Sequence, residues 1–464
     1  MLATSLTRTR GSGRSTRVRR IGVVDVGSNS VRLVVHDVRG RAMNQRFNEK
    51  FLAGLGRDMQ ETGKLHPEGV EQAITALKRF AAITRAQKTD LVIPFATAAV
   101  RDAADGADFC RRVRAETGFE LRVLSGPEEA LIAAQGVVAG APGISGIVGD
   151  LGGSSLELAH LHDAEFREGA TFALGPLALN AASGKTDKRT LSRVKKALNK
   201  SQFFDRNETT FIAVGGAWRA IANIHMELTS APLRILQNFA VPVAEIKPLL
   251  AELASGSKHA DLVQKVAKRR VATIPYAAMA LDVILELGKF ETLMISSYGV
   301  REGIIFQEMT AEERASDPLD AGLDAMVAAD SHAADFGRAL SGWVSNAAAY
   351  TLSPRLTNAA CRLVDIGAML HPDHRADLAF ELVARAPLPG LLHRERAALA
   401  LAIATRYTRH VQHPVSDRLL DEDTAKRARA LGAIMRLGAN LSGRSASLLK
   451  KAELACDGSR LDLY

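Results

Sequence analysis

Twice in this chain, a little over a hundred residues apart, a short apolar run ends on an aspartate and passes into a turn of glycine and serine. The first is Ile21-Gly-Val-Val-Asp25 leading into Val26-Gly-Ser-Asn-Ser30; the second is Gly146-Ile-Val-Gly-Asp150 leading into Leu151-Gly-Gly-Ser-Ser155. Each run reads as a buried strand that delivers a carboxylate into a tight turn at its C-terminal end. Glycine has no Cβ to hold an anion away, so such a turn can bring backbone N–H groups and hydroxyls against a phosphate. The aspartate beside it can hold a divalent cation on that phosphate or position water through it. One such loop is a weak signal, whereas two in one chain point to a cleft that grips a phosphate chain from both sides.

The residues around these turns set the organisation. From Ile21 to Val38 the pattern is strand, turn, strand, with the turn closing a hairpin. A helical stretch from Pro67 to Gln87, an apolar run Leu91–Ala96, a helix around residues 107–117, a short strand near 121–124 and a helix opening at Ser125 follow. This alternation predicts an α/β domain over 21–140. A second α/β unit over 141–311 repeats the theme with strands into Asp150, over 156–161 and over 211–214. After Ala311 strand-like runs vanish and alanine-rich helical periodicity takes over, so 312–464 is expected to be all-helical. At 464 residues the chain exceeds what one hydrophobic core usually supports, which fits three or four such units.

Composition excludes several classes. Hydrophobic residues make up 47% and charged residues 24%, as in a water-soluble globular protein, and no apolar run reaches membrane-spanning length. No signal-peptide core follows the N-terminal arginines, so a cytoplasmic location is expected. Cys110, Cys361 and Cys456 form no CxxC pair and support neither a disulfide framework nor a zinc site. The formal charge of +9 is compatible with an anionic partner. Residues 1–20 carry Arg8, Arg10, Arg14, Arg17, Arg19 and Arg20 without an acid and read as a disordered basic arm, a composition that transit peptides share. Basic clusters at Arg193, Lys195, Lys196 and Lys200, and at Lys265, Lys268, Arg269 and Arg270, read individually as solvated helix faces.

Six segments together carry a specific resemblance: DVGSNSVRL (25–33), ATAAVRDA (96–103), SGPEEA (125–130), DLGGSSLEL (150–158), VGGAWRAIA (214–222) and SSYGVREG (296–303). In order and spacing the chain resembles the exopolyphosphatase and guanosine pentaphosphate phosphohydrolase family, over nearly all residues after 20. The resemblance implies a duplicated actin-like fold of the ribonuclease-H type with a helical HD-like tail. It also implies metal-assisted release of phosphate from the end of inorganic polyphosphate, or from guanosine pentaphosphate. Mg²⁺ is the implied cofactor, K⁺ a candidate activator and a homodimer the implied assembly, with no nucleic acid required.

Carried over by residue, the resemblance makes Glu129 the general base and Arg101 the group that binds the phosphate being cleaved; Asp102 beside it stays open between orienting that arginine and being a surface residue. Residue reasoning alone leaves Glu128 open as the base, since adjacent acids at a helix start point in different directions and both also favour the positive helix end. Gly27, Ser28, Asn29 and Ser30 from one turn, and Gly152, Gly153, Ser154 and Ser155 from the other, are the implied phosphate cradle, joined by Gly215 and Gly216. Asp150 is the implied metal ligand and Glu157 a second carboxylate, inward only if Leu156 packs into the domain; Asp25 would contribute through water. The chain departs from the family pattern at Ser154, where a third glycine is usual, and at Leu156, where threonine is frequent.

The sequence also carries other motifs. Leu363-Val-Asp-Ile-Gly367 resembles an HD signature with valine in the histidine position, and so lacks the metal-binding pair. His371 and His374 read as surface residues. Ser183-Gly-Lys-Thr186 imitates the end of a P-loop, but the required earlier glycine falls at Leu179. A sugar or acetate kinase on the same fold would need an adenosine pocket, and Val214-Gly-Gly-Ala-Trp218 lies where that fold puts one. A non-catalytic sensor or filament module is the third class, disfavoured by the presence of Glu129 and Arg101.

Overall fold

The computed structural model describes residues 17–183, 186–199, 201–256, 259–327, 331–457 and 460–464. Arg8, Arg10 and Arg14 of the basic arm, Gly184 and Lys185 of the P-loop-like segment, and Lys200 lie outside them. The first strand begins at Arg19, inside the segment expected to be a free arm. The Arg20 side chain donates to Asp37 at 2.8 Å, and its backbone N–H donates to Asp90 at 2.7 Å.

Five strands form the first sheet: β1 (Arg19–Val26), β2 (Val31–Arg39), β3 (Ala42–Phe51), β4 (Leu91–Ala96) and β5 (Arg122–Val123). Their spatial order is β3-β2-β1-β4-β5, an antiparallel meander continued by two parallel strands. The second sheet uses β6 (Gly146–Leu151), β7 (Leu156–His162), β8 (Glu165–Phe172), β9 (Thr210–Val214), β10 (Phe239–Pro242) and β11 (Thr292–Ile295). Read from β8 its order is β8-β7-β6-β9-β11-β10. The same meander-then-parallel pattern thus occurs twice, with β10 added antiparallel at the edge. The duplicated actin-like architecture is therefore present in strand order as well as in the two turns.

Strand alternation decides which way the functional side chains face. On β1, Val24 and Val26 join the core beneath the helix Pro67–Ala86, while Ile21 and Val23 join a different core on the opposite face. On β6, Ile147 and Leu151 face the second domain's own helices, while Val148 joins the core shared with Ile21 and Val23. Asp25 and Asp150 fall on the same alternate set as Val23 and Val148. Both aspartates therefore stand on the sheet faces turned toward each other.

Two helices fill the space between the sheets, Gly126–Gly140 and Val300–Gln307, and they cross at very close range. A Cβ on Gly303 would lie 1.8 Å from the carbonyl oxygen of Ile132, so only glycine permits this approach. The second chain segment thus returns to the first domain and the cleft lies above their joint core.

Helices dominate residues 311–327 and 331–449, centred on His393–Tyr407, whose residues 396–405 are all buried between Arg375–Arg385 and Glu422–Ser442. The buried Arg396 donates its two terminal nitrogens to the carbonyls of Ala386 and Leu388, which offsets part of the cost of a cation inside an apolar helix bundle. The expectation of an all-helical tail needs one correction, because the chain ends in a hairpin of β12 (Leu454–Asp457) and β13 (Arg460–Leu463). The alternating Arg460-Leu-Asp-Leu463 carries the two-residue period that helices lack. In the HD-like segment Val364 is fully buried, and Asp365 faces Arg406 and Arg444 at 3.8 Å each. His371 and His374 are exposed.

Candidate active site

Both turns close in the same way. Gly27 N–H donates to Ser30 O at 3.0 Å, and Gly152 N–H donates to Ser155 O at 3.0 Å. Each turn is then fixed from outside. Gly54 and Gly56 N–H groups donate to the carbonyls of Asn29 and Ser28, and Leu177 and Gly175 N–H groups donate to those of Gly153 and Ser154. With their carbonyls committed outward, the turns leave N–H groups and hydroxyls for the cleft. The turns meet across the domains, where Ser154 Oγ donates to Ser28 Oγ at 3.0 Å. That bond gives the extra hydroxyl at Ser154 a partner, and Ser154 does not line the cleft. The cleft itself has a volume of about 340 Å³ and is lined by the other turn residues, together with Gly215 and Gly216. Gly215 has φ +109°, and a Cβ there would lie 2.5 Å from Leu151 O, so the β9 segment needs glycine to pass beside the second turn.

The two adjacent acids of SGPEEA separate completely. Glu128 belongs to a capping box: its Oε2 accepts from Ser125 N–H at 2.9 Å and from Ser125 Oγ at 2.7 Å. Those bonds, with Arg122, hold its carboxyl down to about 2, and it is half-exposed. Glu129 is one position further round the helix, is 7% exposed and lines the cleft. Burial, and then repulsion from Asp150, push its carboxyl up to about 8 against the opposing pull of Arg101. Arg101 NH1 donates to Glu129 at 3.2 Å and to Leu124 O at 3.2 Å, while its Nε donates to Asp102 at 2.9 Å. Asp102 therefore orients Arg101, and Arg101 sits against the acid, outside the cleft lining.

Four carboxylates crowd one region. Asp25 and Asp150 keep part of their surface open to the cleft while protein surrounds them, and burial raises both, Asp150 to about 6. Glu157 pairs in register with Asp150 across the β6–β7 hairpin. Leu156 is fully buried in the second domain's outer core, so Glu157 points inward, 2% exposed. Neither of its carboxylate oxygens has a hydrogen-bond partner, although the Ser155 hydroxyl lies nearby. Burial and repulsion from Glu129 and Asp150 hold its pKa well above the carboxylate range. Two unpartnered buried oxygens beside three further acids fit a hard divalent cation, which takes oxygen ligands and relieves this repulsion.

Sequence reasoning missed the opposing charge. Arg32, Lys50, Arg219, Arg270 and Arg301 all line the same cleft. Arg32 pairs in register with Asp25, the position that Glu157 holds in the second hairpin, so the two halves of the duplication present opposite charges there. Burial followed by repulsion from Arg301 lowers Arg32 to about 10, and burial with repulsion from Arg270 and Arg32 lowers Lys50 to about 8. Arg219 is likewise lowered to about 10 by burial and Arg301. Arg32, Arg219 and Arg301 lie inside the resembling motifs, which was the available signal; Arg270 was read as part of a solvated face. Trp218, by contrast, is fully buried, with its indole N–H on Ala277 O at 2.9 Å, and offers no face to a base.

A duplicated actin-like core, with facing Asp–Gly/Ser turns, an acid helix start and a cationic wall, defines a two-lobed phosphoryl-cleaving or phosphoryl-transferring protein. Residues 33–312 match the Ppx/GppA phosphatase family, and residues 331–463 match the family described as exopolyphosphatase, C-terminal. The chain belongs to the Ppx/GppA phosphatase family. It is 27% identical over 309 residues to Exopolyphosphatase 1 of Mycobacterium leprae, covering 63% of this chain and 90% of that protein. Against Exopolyphosphatase 1 of Mycobacterium tuberculosis it is 35% identical over 159 residues, 34% of this chain and 46% of that protein. Its fold is similar to the crystal structure of an exopolyphosphatase from Cytophaga hutchinsonii, with a TM-score of 0.57 at 21% identity, over 63% of this chain and 99% of that one. Among the described residues no helix is long and apolar enough to cross a membrane.

Proposed function

We propose that this protein is an exopolyphosphatase that hydrolyses the terminal phosphate of inorganic polyphosphate by direct attack of water. The carrying observation is that five cationic side chains line one cleft together with Glu129 and the two phosphate-cradling turns. Cations whose pKa values are lowered first by burial and then by mutual repulsion gain most from a ligand with a charge on every unit. A nucleotide reading finds less support: among the described lining residues the one aromatic is Phe95, which is 1% exposed and cannot stack on guanine.

In this reading the N–H groups of Ser28, Asn29 and Ser30 and of Gly153 and Ser155 hold the terminal phosphoryl group, with the Asn29 amide as a further donor at the cleft. Asp150 and Glu157, with Asp25 through water, would hold Mg²⁺, which supplies charge neutralisation on the phosphates when bound. Glu129, once ionised, takes the proton of the attacking water, and Arg101 holds that carboxylate in position. The cationic wall draws the rest of the polymer through the cleft. The reading includes a homodimer, which sedimentation of the purified chain tests.

The deciding experiment is phosphate release with Mg²⁺ from long-chain polyphosphate and from guanosine pentaphosphate in parallel, with ATP and kinase acceptors as a control. Preference for the polymer is expected. Preference for the nucleotide would make the protein a pentaphosphate phosphohydrolase, and release from neither would overturn both.

A further inference from the structure

A second set of ligating side chains converges far from the cleft. On β7, His160 and His162 share the alternate face with Leu156 and Leu158, which are buried in the second domain's outer core. The histidines occupy the end of that strand beyond the core. Six residues separate Leu156 at the cleft turn from His162, or about 20 Å at the usual rise per strand residue. Glu208 reaches the same place from the segment just before β9.

The three groups meet at one atom. His160 Nε2 lies 2.8 Å and His162 Nδ1 3.3 Å from the same Glu208 oxygen, and the three ligand atoms lie within 4.8 Å of one another. His160 and Glu208 side chains are 11% and 12% exposed, while His162 is 56% exposed, so the cluster is closed below and open on one side. Its frame is firm. The β7–β8 connection is a two-residue turn with Asp163 at φ +51° and Ala164 at φ +62°, pinned by bonds to Ser145 Oγ and Ile144 O at 2.9 Å each.

Donor chemistry separates this cluster from the cleft. The cleft acids offer oxygen alone and suit a hard cation, whereas two imidazoles and a carboxylate suit a borderline cation such as Zn²⁺. Three protein ligands with a solvent-facing side leave a fourth position for water. We propose that His160, His162 and Glu208 form a second metal site, selective for Zn²⁺ and similar borderline divalent cations, that staples the β7–β8 hairpin to the segment preceding β9.

The test uses the full-length protein freed of metal with a chelator and titrated with Co²⁺, whose four-coordinate, nitrogen-ligated form absorbs strongly in the visible. One equivalent is expected to produce that spectrum in the wild type and equally in Asp150→Asn, to be displaced by Zn²⁺, and to resist Mg²⁺. His162→Ala, at an exposed position that the fold does not require, and Glu208→Gln, which keeps an acceptor for the histidines, should each weaken Zn²⁺ binding by at least about tenfold. Phosphate release should be unchanged in His162→Ala. No Co²⁺ spectrum, undiminished Zn²⁺ affinity in His162→Ala, or loss of the spectrum in Asp150→Asn would each overturn the proposal.

Discussion

Glu129→Gln removes a charge that folding brings into an unfavourable place, so it should cost activity while adding stability. The carboxyl rises from its ordinary value of 4.5 to about 8 in the folded protein, through burial and then the repulsion of Asp150. The sign follows from the raised value: the native state holds a proton that the unfolded chain releases. The associated stability is complete below about pH 4.5 and is lost as the pH climbs through about 8. At about 1.4 kcal/mol per pH unit the loss is bounded at roughly 3 kcal/mol at pH 7 and roughly 5 kcal/mol above pH 8. Relaxation and water entry reduce such figures, so a gain of about 2–3 kcal/mol for the glutamine variant is expected near pH 8. Near pH 4 the two proteins should be equally stable. Urea denaturation of both at about pH 5 and about pH 8 with chelator present reads the difference, and turnover should fall by about 10²–10⁴. A glutamine variant that is less stable at the higher pH, or that differs by the same amount at both, would refute the electrostatic reasoning. Near-normal turnover would refute the role of Glu129 as base.

The other expectations concern the cationic wall, the cation and the helix crossing. Arg32→Gln and Arg270→Gln should raise KM for long polyphosphate more than they lower kcat, and each should reduce the slope of binding against log salt by about one, by the counterion-release logic of polyanions; an unchanged slope in both would remove them from the polymer path. Lys50, lowered to about 8, is charged below that pH and discharged above it, so KM should rise in the alkaline range and Lys50→Arg should abolish that rise. Asp150→Asn should increase the Mg²⁺ concentration giving half-maximal activity by at least about tenfold, read from activity against free Mg²⁺. Gly303→Ala, which drives a methyl group into Ile132 O, should destabilise by about 1–3 kcal/mol in chemical denaturation; a neutral result would mean the two central helices can separate.

Much of the site was readable because its motifs are local. A buried strand, an aspartate and a Gly/Ser turn are contiguous in the chain, and their repetition announced the duplicated fold. Strands β3, β8, β10 and β11 of the two sheets were missed, the first two for a plain physical reason. β3, Ala-Met-Asn-Gln-Arg-Phe-Asn-Glu-Lys-Phe, and β8, Glu-Phe-Arg-Glu-Gly-Ala-Thr-Phe, are polar edge strands whose pairing comes from the neighbouring strand rather than from an apolar period of their own. The same blindness hid Arg270, which looks like a solvated helix charge until the fold turns it into the cleft.

The sequence alone determined what can be written over a few consecutive residues: the two cradles, the Ser125 helix start with its pair of acids, and the change from α/β to helical texture after Ala311. Tertiary structure alone decided which of those acids lines the cleft and which caps the helix, because that depends on helix phase against a particular neighbour. It also decided that Arg101 rests on Glu129, that Glu157 lies buried beside Asp150, and that five cations from distant segments share one cleft. Such effects arise from burial and from charges brought within a few ångströms across long stretches of chain. Neither quantity exists until the two sheets face each other.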